Sequence, residues 1–210
     1  MDRRLPVYLL LDCSGSMVGD PIAAMQIGLS GLVSELRNDP YALETVWLGL
    51  ITFASNADQP VPLTDIDQFV VPDLEAGGST AMGDALALLE DAIRNEVRSG
   101  RGDEKADWKP MAFLFTDGVP TDSWRDPAER LRDSRICQLI VCGAGAEVND
   151  ATLHELSDTV IRLTDTQPGT LSTFLRWVTT SVTQTSKSLG SGRSAHLPDF
   201  DLNLDSGEIR

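Results

Sequence analysis

The sequence predicts an α/β fold, a doubly wound and mostly parallel sheet with one antiparallel edge strand and helices on both faces. Short runs without charge alternate with longer segments whose apolar residues return every three or four positions, the periods of buried strands and amphipathic helices. One run is broken by prolines, which suits only an edge. Two of the apolar runs end abruptly in acidic and hydroxyl residues, and in doubly wound sheets ligands gather at the carboxyl ends of strands.

Taken in order, residues 6 to 11 (PVYLLL) read as a buried parallel strand. Asp20 and Pro21 then supply an N-cap and a proline at the first helical position. Ile22, Met25, Leu29, Leu32, Val33 and Leu36 mark one face of that helix, which ends before Asn38-Asp39-Pro40. Residues 45 to 54 (TVWLGLITFA) carry no charge and suit an interior strand, whereas residues 58 to 63 (DQPVPL) hold two prolines and form an edge strand or loop. After EAGGST, Met82, Leu86, Leu89, Ile93 and Val97 mark a second helical face. A charged loop, SGRGDEKADWK, leads to the strand MAFLF at residues 111 to 115. A short helix over residues 126 to 133, a strand over 136 to 141, a helix capped by Asn149-Asp150 and ending near Leu156, and a strand over 159 to 163 follow. A helix from Leu171 to about Thr183 closes the domain, with Leu171, Phe174, Leu175 and Val178 on one side.

The 210 residues suffice for one α/β domain with a full core. The expected division is a domain over residues 1–185 and a flexible acidic tail over 186–210, in which SKSLGSGRSAH has linker chemistry. In that tail DFDLNLD alternates acidic or polar residues with Phe200, Leu202 and Leu204, a pattern suited either to adding a strand to a sheet edge or to solvent. The net charge of −15 with singly scattered basic residues excludes a nucleic-acid surface. No apolar segment is long enough for a bilayer, and MDRRLPVYLLLDCSG is unlike a signal peptide. A cytoplasmic protein is expected, with no membrane partner. Its three cysteines read as buried thiols, Cys137 and Cys142 pointing to opposite faces.

The chemistry concentrates in DCSGSM, GGST and FTDG. Asp12, Ser14 and Ser16 alternate, so an extended chain leaving a strand aims three oxygens at one point. Thr80 brings a hydroxyl from a second loop, and Asp117 a carboxylate from the end of MAFLF. Such oxygens suit Mg²⁺, which prefers octahedral oxygen ligands and keeps several waters.

This set resembles the metal-ion-dependent adhesion site of the von Willebrand factor A family, whose pattern is D-x-S-x-S with a distant threonine and a distant aspartate. The match takes in Asp12, Ser14, Ser16, Thr80 and Asp117, and the resemblance covers roughly residues 5 to 183. It implies a Rossmann-like sheet and a metal-bridged protein-binding activity without catalysis. It also implies that Ser14, Ser16 and Thr80 coordinate the ion, Thr80 directly or through water, while Asp12 and Asp117 mostly hold its waters. Mg²⁺ is the expected cation, with Mn²⁺ or Ca²⁺ as substitutes, and the partner is a protein offering an Asp or Glu. Within the family, the DCSGSM segment looks most like bacterial cytoplasmic TerY-like tellurite-resistance proteins. That implies stress-response partners, a kinase or phosphatase among them.

Two other functions stand beside this one. A haloacid-dehalogenase-like phosphatase also places a nucleophilic aspartate after its first strand, but needs a second aspartate where this chain has Ser14. A scaffold recruiting partners through its tail is the third. A Ser-His-Asp hydrolase lacks G-x-S-x-G and a well-placed histidine. Taken alone, Asp12 and the serines suit equally a turn that only satisfies its own backbone groups. Asp84 reads as a charge complementing a helix dipole, Asp20 and Asp122 as solvated loop carboxylates, and Cys13 as a buried thiol. Arg101-Gly102-Asp103 reads as a chance tripeptide, and His154 lacks companions for a zinc site.

Overall fold

The computed structural model describes residues 3–100, 105–192 and 197–200. Strands β1 (Leu5–Asp12), β2 (Val46–Phe53), β3 (Ala57–Asp65), β4 (Met111–Thr116), β5 (Gln138–Ala144) and β6 (Thr159–Leu163) form one sheet in the order β3-β2-β1-β4-β5-β6. Every pairing is parallel except that of β2 with β3. The proline-bearing run is therefore the antiparallel edge, and its register with β2 shifts twice around Pro60 and Pro62, which have no N–H to give.

Alternation along β1 explains the two cores. Leu5, Val7, Leu9 and Leu11 pack in a cluster with α1 (Asp20–Asn38) and α6 (Pro168–Gly190), while Tyr8 and Leu10 join the opposite cluster with α3 (Met82–Glu96), α4 (Arg125–Ser134) and α5 (Asp150–Leu156). Because helices cover both faces, every residue of β1 is buried and the run carries no charge until Asp12. Cys142 lies in the first core and Cys137 in the second, on opposite faces as expected.

Three details differ from the sequence reading. Asp20 is the first residue of α1 rather than its cap, a place held by Gly19. Asp39-Pro40 ends one helix but also starts another, α2 (Pro40–Thr45): the Asp39 carboxylate accepts from the Tyr41 and Ala42 N–H groups at 3.0 and 3.1 Å. The last helix runs to Gly190, past both Thr183 and the expected boundary at residue 185. Its second half is buried through small polar residues, Ser186 Oγ lying 2.8 Å from Thr45 Oγ1 on α2.

Beyond α6, Leu197 and Phe200 pack against the first core, and the Phe200 ring meets Trp177 edge-on at 5.7 Å. The Trp177 Nε1–H donates to the Pro198 carbonyl at 3.0 Å. This part of the tail is docked on the domain. Leu202, Leu204 and the Arg101-Gly102-Asp103 tripeptide lie outside the described residues. No helix among the described residues is long and apolar enough to cross a membrane.

The strand order sets the position of the site. From β1 the chain builds outward through β2 and β3 on one side, then returns at β4 to build the other. The carboxyl ends of β1 and β4 therefore flank the topological switch point, where the two halves of the sheet diverge and leave a crevice.

Candidate metal centre

Asp12 ends β1 and has no exposed surface. Its Oδ1 accepts the Ser14 N–H at 2.9 Å, and its Oδ2 accepts the Thr116 hydroxyl, at the end of β4, at 2.6 Å. Both oxygens are thus fixed, one by the chain just ahead and one by the neighbouring strand. The turn that follows, Gly15–Met17, is a single 3-10 turn that brings Ser14 Oγ and Ser16 Oγ to 3.0 Å. The Ser16 hydroxyl then donates to Asp117 Oδ1 at 2.7 Å. Hydrogen bonds run from Ser14 through Ser16 to Asp117, joining the loops after β1 and β4.

A third loop closes against these two. The Gly77 N–H donates to the Cys13 carbonyl at 2.8 Å, and the Gly15 N–H to the Gly78 carbonyl at 3.0 Å, so the GGST segment lies alongside DCSGS. Thr80 is clasped from both sides by Thr121: its N–H donates to Thr121 Oγ1 at 3.0 Å, and its carbonyl accepts the Thr121 N–H at 2.9 Å. Gly118 leaves room for the Thr80 side chain, since a Cβ there would stand 3.2 Å from Thr80 Oγ1. The structure thus brings all five expected residues to one edge of the sheet. Asp12, Ser14, Thr80 and Asp117 are buried, and Ser16 is exposed.

Burial pushes the Asp12 carboxyl above the ordinary carboxylate range, against hydrogen bonds from Thr116 and Ser14 that favour its charged form; the nearby Asp117 charge adds to the rise. Two carboxylates in one crevice with three hydroxyls form an all-oxygen donor set, the chemistry of a hard divalent cation. Among the described residues no group of three or more His, Cys, Asp or Glu could hold a metal. His154 is exposed on α5.

Three residues join the site that sequence reasoning gave no role. Thr116, the first residue of TDG, anchors Asp12, and Thr121 clasps Thr80. Asp122 is not a solvated loop carboxylate: its Oδ1 and Oδ2 accept the Gly83 and Asp84 N–H groups, both at 2.9 Å, capping α3 from a distant loop. The cap acts across 38 and 39 positions of sequence, so no local pattern marks it. Asp20 and Asp84 are exposed at the starts of α1 and α3. The Cys13 thiol is buried, and burial first, with Asp12 second, pushes it up to about 12. A cavity of about 740 Å³ lined by Lys109, Cys137, Gln138 and Thr159 lies elsewhere, at the amino ends of β5 and β6.

Residues 7–173 match the model of the von Willebrand factor type A domain. The chain belongs to that family. Von Willebrand factor type A domains form a family of metal-dependent adhesion and protein-interaction modules. Mouse Matrilin-1 is 27% identical over 161 residues, which cover 74% of this chain and 31% of Matrilin-1. A solved von Willebrand factor type A structure from Catenulispora acidiphila superposes with a TM-score of 0.64 at 21% identity, covering 87% of this chain and 43% of that one. The structure of proximal thread matrix protein 1 from the mussel byssus, with a zinc-occupied MIDAS motif, has a TM-score of 0.60 at 20% identity, covering 86% and 46%. The chain spans less than half the length of each of these three proteins.

Proposed function

We propose that this domain is a metal-dependent protein-binding module in which Asp12, Ser14, Ser16, Thr80 and Asp117 hold a divalent cation, Mg²⁺ with Mn²⁺ or Ca²⁺ as substitutes. The observation that carries the proposal is the hydrogen-bonded run Ser14–Ser16–Asp117, beside a buried Asp12. It places oxygens from two strand ends at the switch point. When bound, the cation supplies an electrophilic centre for an Asp or Glu side chain of a partner protein. Ser14, Ser16 and Thr80 offer it neutral hydroxyls. Asp12 and Asp117 would hold its waters, an indirect role that keeps formal negative charge off the ion's direct ligands and leaves it more attractive to an outside carboxylate than direct carboxylate ligation would.

A phosphatase reading fits less well. Asp12 has no exposed surface and is held by Ser14 and Thr116, a poor position for attack on a phosphate, and Ser14 stands where the acid–base aspartate would be needed. Placement among TerY-like proteins rests on the DCSGSM segment. A tellurite-sensitive phenotype on deleting the gene supports it, and unchanged tolerance removes it.

Cation binding tests the central reading. Manganese binding followed by electron paramagnetic resonance should show one site in the wild type and none in Asp12→Ala or Asp117→Ala. Wild-type binding in both variants overturns the proposal.

A further inference from the structure

The described residues with large exposed apolar side chains include two in the loops of the candidate metal centre. Val18 is 60% exposed and directly follows the 3-10 turn that carries Ser16. Val119 is 52% exposed and stands two residues beyond Asp117. The 2.7 Å bond from Ser16 to Asp117 draws these two loops together. Met17, between Ser16 and Val18, is fully buried, and Gly118, between Asp117 and Val119, has no side chain. The valines are therefore the first side chains that each loop turns to solvent on leaving the site. Burying them inward would have satisfied folding alone. Their exposure beside a polar crevice suits contact with a partner.

The loop segments that carry the site, residues 12–20, 73–84 and 117–124, contain no Lys, Arg or His. Asp20, Asp73, Glu75 and Asp84 are exposed on them, in a chain of net charge −15. A carboxylate approaching such a rim is repelled by everything except the cation, unless the segment carrying it brings positive charge of its own. A second copy of this chain brings the wrong sign.

We propose that this rim takes a partner segment in which the metal-seeking Asp or Glu is flanked by aliphatic side chains, which cover Val18 and Val119, and farther out by Lys or Arg. The inference rests on the cation-binding reading above and specifies the partner for it.

The test uses the full chain in Mg²⁺ and a fluorescent peptide with a central Glu, Leu on either side of it and Lys at both ends. Anisotropy titrations compare it with peptides in which Leu becomes Ser, Lys becomes Glu, or the central Glu becomes Gln. The Ser peptide should bind about tenfold more weakly, the order expected when two half-exposed valines lose an apolar cover. The peptide ending in Glu should bind more weakly still and gain from added salt. In Val18→Ser/Val119→Ser, manganese binding should be unchanged and the preference for Leu over Ser lost. Equal binding of the Leu and Ser peptides to the wild type overturns the aliphatic contact, and equal binding of the Lys-ended and Glu-ended peptides overturns the charge requirement. The peptide with Gln, together with chelation, judges the cation reading separately: indifference to both removes that reading, while the Leu–Ser contrast still judges the rim.

Discussion

Replacing Asp122 by Ala removes a carboxylate that accepts two N–H groups in the first turn of α3, Gly83 and Asp84, each at 2.9 Å. Loss of a capping side chain typically costs about 1 kcal/mol, and loss of a negative charge at a helix N-terminus roughly 0.3–1 kcal/mol more. Asp84 remains in that turn and offsets part of the dipole term. Because two donors lose their acceptor together, the sum is about 2 kcal/mol. For a domain of this size that lowers Tm by roughly 4–8 °C. Circular dichroism melts in excess Mg²⁺ and in chelator measure it, with Asp122→Asn, which keeps one acceptor oxygen, falling between. Thr121, next in the chain, clasps Thr80, so Asp122→Ala should also weaken manganese binding without removing a ligand. A Tm within about 1 °C of wild type would show that the carboxylate does not support α3.

Acid should act on stability in two opposed ways. Hydrogen bonds from Arg94 and then Arg130 hold the Glu90 carboxyl below its ordinary range, and one from the Thr170 hydroxyl does the same for Asp165. Their contributions are present above the unfolded carboxylate range and are lost as pH falls through the depressed folded values. Asp12 is raised, so in chelator its contribution is present at low pH and is lost as pH rises through its folded value. A bound cation favours its charged form, so the Tm gain from Mg²⁺ should shrink steadily as pH drops into the carboxylate range. A gain independent of pH contradicts the involvement of Asp12. Separately, Cys13, Cys137 and Cys142 are buried thiols with raised pKa values. Iodoacetamide at neutral pH should leave the folded protein unmodified by mass spectrometry and label all three in denaturant, and rapid native labelling would place a thiol at the surface.

The inner strands of the sheet were legible because they are covered on both faces. Burial on two sides excludes charge from their positions, and TVWLGLITFA and MAFLF show it plainly. That the five candidate residues would meet was legible because each lies at the end of such a run or the start of a helix, where polarity has no folding reason to appear so abruptly. What escaped is ambiguous local signal and whatever depends on partners distant in sequence. Asp39-Pro40 reads equally as a stop and a start, and the fold uses both. The second half of α6 packs with Thr179 and Ser181, whose hydroxyls donate to carbonyls four residues earlier and so pass as apolar surface, hiding the periodicity. Thr116, Thr121 and Asp122 act wholly across the fold, and only the coordinates pair them with Asp12, Thr80 and α3.

The prolines of β3 bear on more than the register of one strand pair. A parallel sheet ends in two rows of backbone groups that invite further strands, the usual route to fibrous aggregation. Here one row is interrupted at Pro60 and Pro62. The other belongs to β6, only five residues long, where Arg162 turns its guanidinium back onto the Gly143, Leu163 and Gly145 carbonyls. Both margins resist polymer growth, so the partner binding proposed for this domain is steered to its loops and away from its strands.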